Sequence, residues 1–343
     1  MKALVVEKPN VFSIQEVPYP EPGTNEVTIK VRACCICGTD GHLLRGEFGG
    51  VQYPLIPGHE FSGLIDKVGP GVSDFKIGDT VSIEPFIACG RCHFCQTGNY
   101  NVCLHGHVIG HSASRDGVRL DGGFAEYVTV PQKNLYRFQR ASFHEAAFLP
   151  NLNTVVYGLR KAQFNPGDSI LIIGAGTMGL LFVQLAKAAG ARLIAISDRF
   201  SNRLNLAKEL GAHSVVMADQ HQENNLMRLT PYGFDVVVEC VGHAKLFEQC
   251  FRYVRNRGKI ILFGLTPHDQ FSNINPFEIS KRNLEIIGSF SATFCGPATR
   301  DLIDNGIIKI EPLVSHTFPL DEFPQALAKA QSFQQAIRVI VEP

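Results

Sequence analysis

The stretch Ser169–Asp198, SILIIGAGTMGLLFVQLAKAAGARLIAISD, determines the fold that we expect for this chain. It opens with the apolar, β-branched run Ser169–Ile173, which has the right length for a strand buried on both faces. The glycine-rich turn Gly174–Gly179 ends that run, and Leu180–Ala189 then has the composition of a helix. A second apolar run closes at Asp198. This order of strand, glycine turn, helix, strand and acid predicts a dinucleotide-binding βαβ unit.

Each part of the turn has a physical task in such a unit. Gly174 permits the tight turn, Gly176 lets the backbone approach a pyrophosphate, and Gly179 lets the helix pack closely on the strand. The first helical residues, Thr177 and Met178, present N–H groups and the positive end of the helix dipole to the phosphates. Because glycines often do no more than permit a turn, the flanking strands and helix carry this prediction.

Asp198 indicates which dinucleotide is bound. A carboxylate at this position can accept hydrogen bonds from the adenosine-ribose hydroxyls and would repel a 2′-phosphate, which favours NAD over NADP. Arg199 and Arg203 follow closely and could compensate a phosphate, or they could be solvated surface charges. We count both among the candidate cofactor residues.

Composition and charge exclude several classes of function. The chain has 343 residues, of which 45% are hydrophobic and 19% charged, as in a globular protein with two domains. Lys and Arg total 32, and so do Asp and Glu, so no basic excess points to nucleic acid or to a membrane surface. The first ten residues contain too short an apolar run for a signal peptide, and we expect a cytoplasmic protein.

A first group of candidate metal ligands lies near the N-terminus, where Cys37 and His59 could supply two ligands from separate loops. Asp40 could orient the histidine. Thr39 could take a substrate proton and His42 could pass it to solvent. A packed thiol and an ordinary hydrogen-bonded histidine are the alternatives that these residues leave open on their own.

A second group is more specific, because four cysteines follow one another at short intervals in the stretch CGRCHFCQTGNYNVC. Four thiolates can enclose one tetrahedral zinc ion with no position left open, so this site is predicted to be structural. A nucleic-acid-binding zinc ribbon is the alternative, but Arg91 is the only permanent cation in the stretch. The four predicted ligands are Cys89, Cys92, Cys95 and Cys103.

Three segments extend these motifs into a family resemblance. The chain resembles the zinc-dependent medium-chain alcohol and polyol dehydrogenases, and especially their sorbitol dehydrogenase-like members. The segments that carry the resemblance are CGTDGH at Cys37–His42, YPLIPGHEFSG at Tyr53–Gly63 and GPGVSDFKIGDTV at Gly69–Val81. The resemblance continues through the dinucleotide-binding unit and covers nearly the whole chain. It implies an α/β protein with a GroES-like, β-rich catalytic domain and a Rossmann domain, whose doubly wound parallel sheet binds the nucleotide.

The resemblance also implies the domain limits. Residues 1–150 would form the catalytic domain with its structural zinc lobe, 151–289 the NAD-binding domain, and 290–343 a C-terminal return to the catalytic domain. A homo-oligomer, either a dimer or a tetramer, is expected on the same grounds.

Roles for individual residues follow from the same resemblance. Cys37 and His59 would bind a catalytic zinc, with Glu60 beside the metal and able to coordinate it. Thr39 would join the proton relay, and His42 matches the relay histidine of some members. One ion at this site and one at the four cysteines would give two zinc ions per chain, alongside NAD.

The chain departs from the family pattern at one ligand position. Relatives place a cysteine or an acid four residues before the threonine that lines the nicotinamide. If Thr154 is that threonine, the ligand position falls on Pro150, which cannot coordinate through its side chain. Asn151 and Asn153 are nearby but are poor zinc ligands. We therefore expect direct coordination by Glu60, a water, or a loosely held metal.

The remaining predictions concern the nicotinamide and the substrate. Val241, Gly264 and Leu265 follow buried strands and should face the nicotinamide. The expected reaction transfers a hydride from a secondary hydroxyl of a polyol or sugar derivative to NAD. A polyol phosphate held by His111, Arg115 and Arg119, another secondary alcohol, and a noncatalytic NAD-binding redox sensor are the alternatives.

Overall fold

The computed structural model describes residues 1–47, 51–111, 120–332 and 334–343. The chain forms two compact units, one of Met1–Asn151 with Thr293–Pro343 and the other of Leu152–Ala292. The unit limits fall at 151/152 and 292/293, against the predicted 150/151 and 289/290. In the described part of the chain, every helix is too short or too polar to cross a lipid bilayer.

The strands are β1 Lys2–Lys8, β2 Val11–Glu16, β3 Glu26–Cys35, β4 Phe61–Val68, β5 Thr80–Ile83, β6 Phe86–Ile87, β7 His107–Val108, β8 Tyr127–Pro131, β9 Leu135–Phe138, β10 Ser169–Ile173, β11 Leu193–Asp198, β12 Ser214–Met217, β13 Phe234–Glu239, β14 Val254–Leu262, β15 Glu285–Gly288, β16 Val314–Pro319 and β17 Arg338–Glu342. The α-helices are α1 Gly38–Leu44, α2 His93–Gln96, α3 Phe143–Ala147, α4 Leu149–Lys161, α5 Thr177–Ala188, α6 Ser201–Leu210, α7 Gln222–Leu229, α8 Ala244–Tyr253, α9 Pro276–Arg282, α10 Gly296–Asp304 and α11 Phe323–Ala330.

The first unit is built on a sheet with the strand order β16-β17-β3-β4-β5-β9, in which β8 also pairs with β3. β3 and β4 form its centre and are antiparallel. Buried side chains from β3, β4, β5 and β8 form one apolar core, and Phe124 and Phe323 pack edge to face in it at 4.9 Å between ring centroids. This is the β-rich unit that the short strands near the N-terminus predict.

The C-terminal segment completes that sheet. β17 pairs with β3 in antiparallel fashion, with Ile340 opposite Cys35, and β16 pairs with β17 in parallel. The backbone N–H of Ile36 donates to the carbonyl of Val339 at 2.9 Å. The last residues of the chain therefore lie beside the loop that leads to Cys37.

The second unit is a six-stranded parallel sheet with the order β12-β11-β10-β13-β14-β15. β10, from the stretch that determines the fold, lies in its interior, and all five of its residues are buried. The order reverses beside β10, and this doubly wound arrangement is the one that binds dinucleotides at the carboxyl ends of the strands. The predicted α/β class, a β-rich unit together with a doubly wound parallel sheet, is confirmed.

Candidate active site and metal centres

The loops that carry Cys37 and His59 meet because the strands beside them are paired. β3 ends at Cys35, two residues before Cys37, and β4 begins at Phe61, two residues after His59. The backbone N–H of Cys35 donates to the carbonyl of Glu60 at 2.8 Å, so the ladder continues past the end of the strands. Two motifs that are well separated in sequence are thereby brought to one place.

Cys37, His59 and Glu60 form one cluster, in which their ligand atoms all lie within 4.8 Å of one another. His59 Nε2 is 3.8 Å from Glu60 Oε1. Nitrogen and oxygen ligands of a tetrahedral zinc ion would be about 3.4 Å apart. A thiolate, an imidazole and a carboxylate are ligand types that zinc binds, and the His59–Glu60 pair would have to close by about 0.4 Å to hold such an ion.

Two neighbours shape the cluster from α1. Asp40 is fully buried, and its Oδ2 accepts the backbone N–H of Cys37 at 2.8 Å while its Oδ1 lies 3.6 Å from His59 Nδ1. Burial by itself would lower the pKa of His59, but Asp40 and Cys37 outweigh burial and raise that pKa well above its usual value. Thr39 Oγ1 lies 3.7 Å from Cys37 Sγ, beside the candidate ligand atoms.

His42 is not part of this cluster. It lies in the last turn of α1 with its side chain about half exposed, and its Nδ1 is 2.5 Å from Glu47 Oε2. Arg45 contacts the same carboxylate through its Nε, at 2.5 Å from Oε1. The imidazole therefore lies at the solvent end of the helix that carries Thr39 at its start.

Sequence reasoning missed two partners of Glu60, whose side chain is buried. Its Oε1 accepts a hydrogen bond from Asn151 Nδ2 at 2.7 Å, and its Oε2 lies 3.0 Å from Arg338 Nη1. Arg338 Nη1 also donates to the carbonyl of Ile36 at 2.9 Å. The signal for Arg338 was a cation at the start of an otherwise apolar final strand, but nothing in the sequence shows which acid it meets.

Three residues are candidates for binding a substrate phosphate, and the structure describes one of them, His111. It lies beside the cluster. The loop that contains Gly110 packs against the loop that contains Gly58. The approach is so close that a Cβ added to Gly110 would lie 2.7 Å from the carbonyl oxygen of Gly58. Burial, together with the nearby His59, lowers the pKa of His111 to about 4. Arg115 and Arg119 lie outside the described residues.

The four cysteines form the second metal cluster. β6 and β7 pair in antiparallel fashion and close the base of the loop that holds them. Sγ–Sγ distances are 3.5 Å for Cys92–Cys95, 3.7 Å for Cys92–Cys103 and 4.0 Å for Cys89–Cys95. Sulfur atoms about 2.3 Å from a tetrahedral zinc ion would be about 3.8 Å apart, so the four thiols fit one ion.

Backbone N–H groups favour the thiolate form of Cys92. The N–H groups of Cys95 and Leu104 lower the pKa of Cys92 to about 6. The N–H groups of Cys89 and His105 each approach Cys103 Sγ at 3.4 Å. Because the thiolate is the form that binds metal, Cys92 is suited to an ion before one arrives, whereas burial raises the pKa of Cys95 to about 12.

In the second unit, Asp198 lies at the end of β11, beside the glycine turn. Its Oδ2 accepts the N–H of Ala175 at 2.7 Å, and its Oδ1 accepts the N–H of Phe200 at 2.9 Å. α5 begins at Thr177, followed by Met178, so these residues form the helix N-terminus. The carboxylate is thereby held in one orientation next to the glycine turn.

The two arginines after Asp198 differ in exposure. Arg199 is exposed, whereas Arg203 is buried and approaches Gly176, where an added Cβ would lie 3.7 Å from its Nη1. Both guanidinium groups lie over the ring of Phe200, at 4.8 Å and 5.4 Å from its centroid.

The predicted nicotinamide-facing residues lie where β13 and β14 end. Val241 and Leu265 are exposed by 54% and 68%, and Thr154 is half-buried in α4. Sequence reasoning missed Glu239, a fully buried acid whose Oε1 accepts the N–H groups of Val241 at 2.8 Å and Gly242 at 3.0 Å. Its burial raises its pKa. Glu239 therefore holds the turn that carries Val241.

Two family models match the chain one after the other. The model described as alcohol dehydrogenase GroES-like domain matches residues 23–140, and the model described as zinc-binding dehydrogenase matches residues 177–305. D-arabinitol dehydrogenase 1 from Uromyces fabae is 32% identical, over 100% of this chain and 97% of its own length. The chain belongs to the zinc-dependent medium-chain polyol dehydrogenase family. It is an oxidoreductase of that family, and membership supports zinc and a nicotinamide cofactor.

Other members are similar over the whole chain. Sorbitol dehydrogenase from Bacillus subtilis (strain 168) is 31% identical, covering 100% of this chain and 97% of its own. L-threonine 3-dehydrogenase from Pyrococcus furiosus is 34% identical, covering 95% of this chain and 94% of its own.

Solved structures agree with this family. A protein described as a zinc-binding dehydrogenase from Sinorhizobium meliloti 1021, bound to NADP, has a TM-score of 0.92 and 35% identity, covering 100% of this chain and 99% of its own. An alcohol dehydrogenase from Escherichia coli CFT073, complexed with NADH, has a TM-score of 0.91 and 29% identity, with the same coverage.

Proposed function

We propose that this protein oxidises a secondary hydroxyl of a polyol or sugar derivative to the ketone, with zinc at Cys37 and His59 and NAD as the hydride acceptor. The observation that carries the proposal is the cluster of Cys37, His59 and Glu60, whose ligand atoms lie within 4.8 Å, with the hydroxyl of Thr39 next to it. When bound, the ion supplies Lewis-acid polarisation of the substrate hydroxyl, and the dinucleotide supplies the hydride acceptor.

Side chains of the protein transfer the proton of the substrate hydroxyl to solvent. Thr39 accepts the proton of the substrate hydroxyl and releases its own toward solvent, because its Oγ1 lies 3.7 Å from Cys37 Sγ, beside the position where that hydroxyl would sit. His42, half exposed at the far end of α1, passes the proton on. Asp40 holds the backbone of Cys37 and faces His59, which keeps both ligands in place.

Glu60 is proposed as the third protein ligand for at least part of the catalytic cycle, since Pro150 cannot serve. Its carboxylate is already at the cluster, with Oε1 3.8 Å from His59 Nε2. Glu60→Ala should lose the catalytic metal to a chelator more readily, whereas Glu60→Gln should retain part of it through the amide oxygen. A full metal complement in Glu60→Ala after chelation would assign the position to another group.

NAD is proposed over NADP because of Asp198. Two backbone N–H groups hold its carboxylate at the glycine turn, where an anion would repel a 2′-phosphate. Arg203 is buried close by, and one similar protein is bound to NADP, so both dinucleotides belong in the test. Comparing kcat/KM for NAD and NADP on one substrate decides between them.

An unphosphorylated polyol is favoured over a polyol phosphate. Burial lowers the pKa of His111 beside the cluster to about 4, which suits the imidazole to sharing hydrogen bonds with hydroxyl groups. An amino-acid-derived secondary alcohol is the second candidate, because relatives that are L-threonine 3-dehydrogenases are as similar to this chain as the polyol dehydrogenases.

A substrate panel tests the proposed function. NADH formation is followed with D-arabinitol, sorbitol, galactitol 1-phosphate and L-threonine, before and after removal of metal with a chelator. We expect metal-dependent oxidation of an unphosphorylated polyol. If the enzyme oxidises L-threonine or galactitol 1-phosphate faster than the free polyols, the proposed substrate class is wrong. If the protein binds NADH but oxidises none of these compounds, the redox-sensor alternative is favoured.

A homo-oligomer, dimer or tetramer, is also proposed. β15 is an edge strand of the parallel sheet, and Ile286 on it is 37% exposed. The molar mass in solution, from light scattering, tests this proposal directly.

A further inference from the structure

Asn151 directly follows Pro150, the position at which the family resemblance expects a metal ligand. Pro150 is the second residue of α4, where a proline is tolerated because helix-initial N–H groups have no partner within the helix. Asn151 comes next, and its side chain is buried, with 4% of the residue exposed. Its side-chain amide contacts the carboxylate of Glu60, which belongs to the cluster with Cys37 and His59.

The two partners of Glu60 hold different oxygens. Asn151 Nδ2 donates to Oε1 at 2.7 Å, and Oε1 is the oxygen that lies 3.8 Å from His59 Nε2. Arg338 contacts Oε2 at 3.0 Å and is itself fixed by the carbonyl of Ile36. The oxygen nearer to His59 is therefore held by a neutral amide, and the other oxygen is held by a cation, Arg338, which also interacts with Cys37.

This division of partners has an electrostatic consequence. A guanidinium prefers to engage both oxygens of a carboxylate side by side, which would turn Glu60 toward Arg338 and away from His59. The amide opposes that rotation. It also leaves Oε1 with a second lone pair and adds no positive charge next to an incoming cation. Asn151 thus keeps the carboxylate turned toward the metal without competing for the metal.

We infer that Asn151 is a positioning residue that holds Glu60 at the Cys37–His59 cluster and so compensates for the ligand that Pro150 cannot provide. The inference rests on the proposed metal site. It goes further by naming the side chain on which the third ligand depends.

The test compares Asn151→Ala and Asn151→Leu with Asn153→Ala as a matched control. Leucine has the same number and branching of side-chain heavy atoms as asparagine, in a somewhat larger volume, but cannot donate, so the space stays filled while the hydrogen bond is lost. Asn153 is also buried, in the same helix, and lies two residues further along. Each zinc-loaded protein is exposed to a chelator, and zinc per chain is measured over time, with the four-cysteine site as the internal reference.

Both Asn151 variants should lose the catalytic-site ion about 10- to 100-fold faster than wild type, which is the usual effect of removing a group that orients a ligand. The control and the four-cysteine ion should keep the wild-type rate. With Co²⁺ in place of zinc, the visible spectrum of both Asn151 variants should change, because the cobalt bands respond to the loss of a carboxylate ligand.

Unchanged release rates and unchanged cobalt spectra in Asn151→Leu would overturn the inference, and so would an equal acceleration in Asn153→Ala. If Asn151→Ala does not fold, the leucine variant decides. Measurements on the wild-type protein distinguish failure of the inference about Asn151 from failure of the proposed function. If wild-type protein has the same metal content as Cys37→Ser, the metal site itself is wrong; if it holds the ion and oxidises a polyol, only the role of Asn151 is in question.

Discussion

Replacing Gly179 by alanine should separate the start of α5 from β10. A Cβ at this position would lie 1.9 Å from the carbonyl oxygen of Gly174 and 3.3 Å from Ile172 Cγ2. Real Cβ atoms stay beyond 3.0 Å, so the helix must move by at least 1.1 Å, the difference between 3.0 and 1.9. The contact is with backbone, which cannot rotate away as a side chain can. We expect a cost of about 3 kcal/mol and a melting temperature lower by about 10 °C.

The same shift should weaken dinucleotide binding, because it moves the N–H groups at the start of α5. We expect the Kd for NADH, measured by fluorescence titration, to rise about tenfold or more. Gly288→Ala is the matched control, since nothing lies within 4 Å of the Cβ it would add. If Gly179→Ala has the melting temperature and the Kd of the control, the close approach of helix and strand is not what requires glycine here.

Three further predictions concern the zinc loop, the cofactor and an ion pair. Cys92→Ser should lose one zinc per chain and lower thermal stability more than any single substitution at the catalytic cluster; equal metal content and stability would contradict a structural ion. Asp198→Ala should narrow the preference for NAD over NADP in kcat/KM, and an unchanged ratio would mean that another group sets it. Partial burial would raise the pKa of Asp235, but hydrogen bonds from Ser169 and Arg255 lower it to about 2. A depressed carboxyl pKa stabilises the fold above the unfolded value near 4 and ceases to do so as pH falls toward 2. Asp235→Asn should therefore cost about 1 kcal/mol at pH 7, allowing for solvent screening, and less below pH 4, as measured by urea denaturation. A constant difference down to pH 3 would exclude this ion-pair account.

The dinucleotide-binding unit and the four-cysteine loop could be predicted from sequence because each is a local arrangement. The turn Gly174–Gly179 and the acid Asp198 lie within one strand–helix–strand passage, so their spacing already places them at one end of a sheet. The cysteines from Cys89 to Cys103 lie within one loop, closed by the pairing of β6 and β7. In both cases chain connectivity alone brings the groups together.

The cluster of Cys37, His59 and Glu60 needed the family resemblance, since Cys37 and His59 meet only through the pairing of β3 and β4. The hydrogen-bond partners of Glu60 could not be predicted from the sequence. Asn151 and Arg338 lie 91 and 278 positions away from it, and each can be recognised as its partner only after helix α4 and strand β17 have been placed.

Sequence by itself determined the two kinds of unit, the glycine turn after β10 and the four-cysteine loop, because periodicity and short spacings encode them locally. Only the tertiary structure decided which oxygen of Glu60 faces the metal cluster and what holds it there. That outcome depends on long-range strand pairing, in which β17 lies against β3 and carries Arg338 to a buried acid. A single buried carboxylate between an amide and a guanidinium leaves no periodic or spaced pattern in the chain, so its partners become visible only in the folded structure.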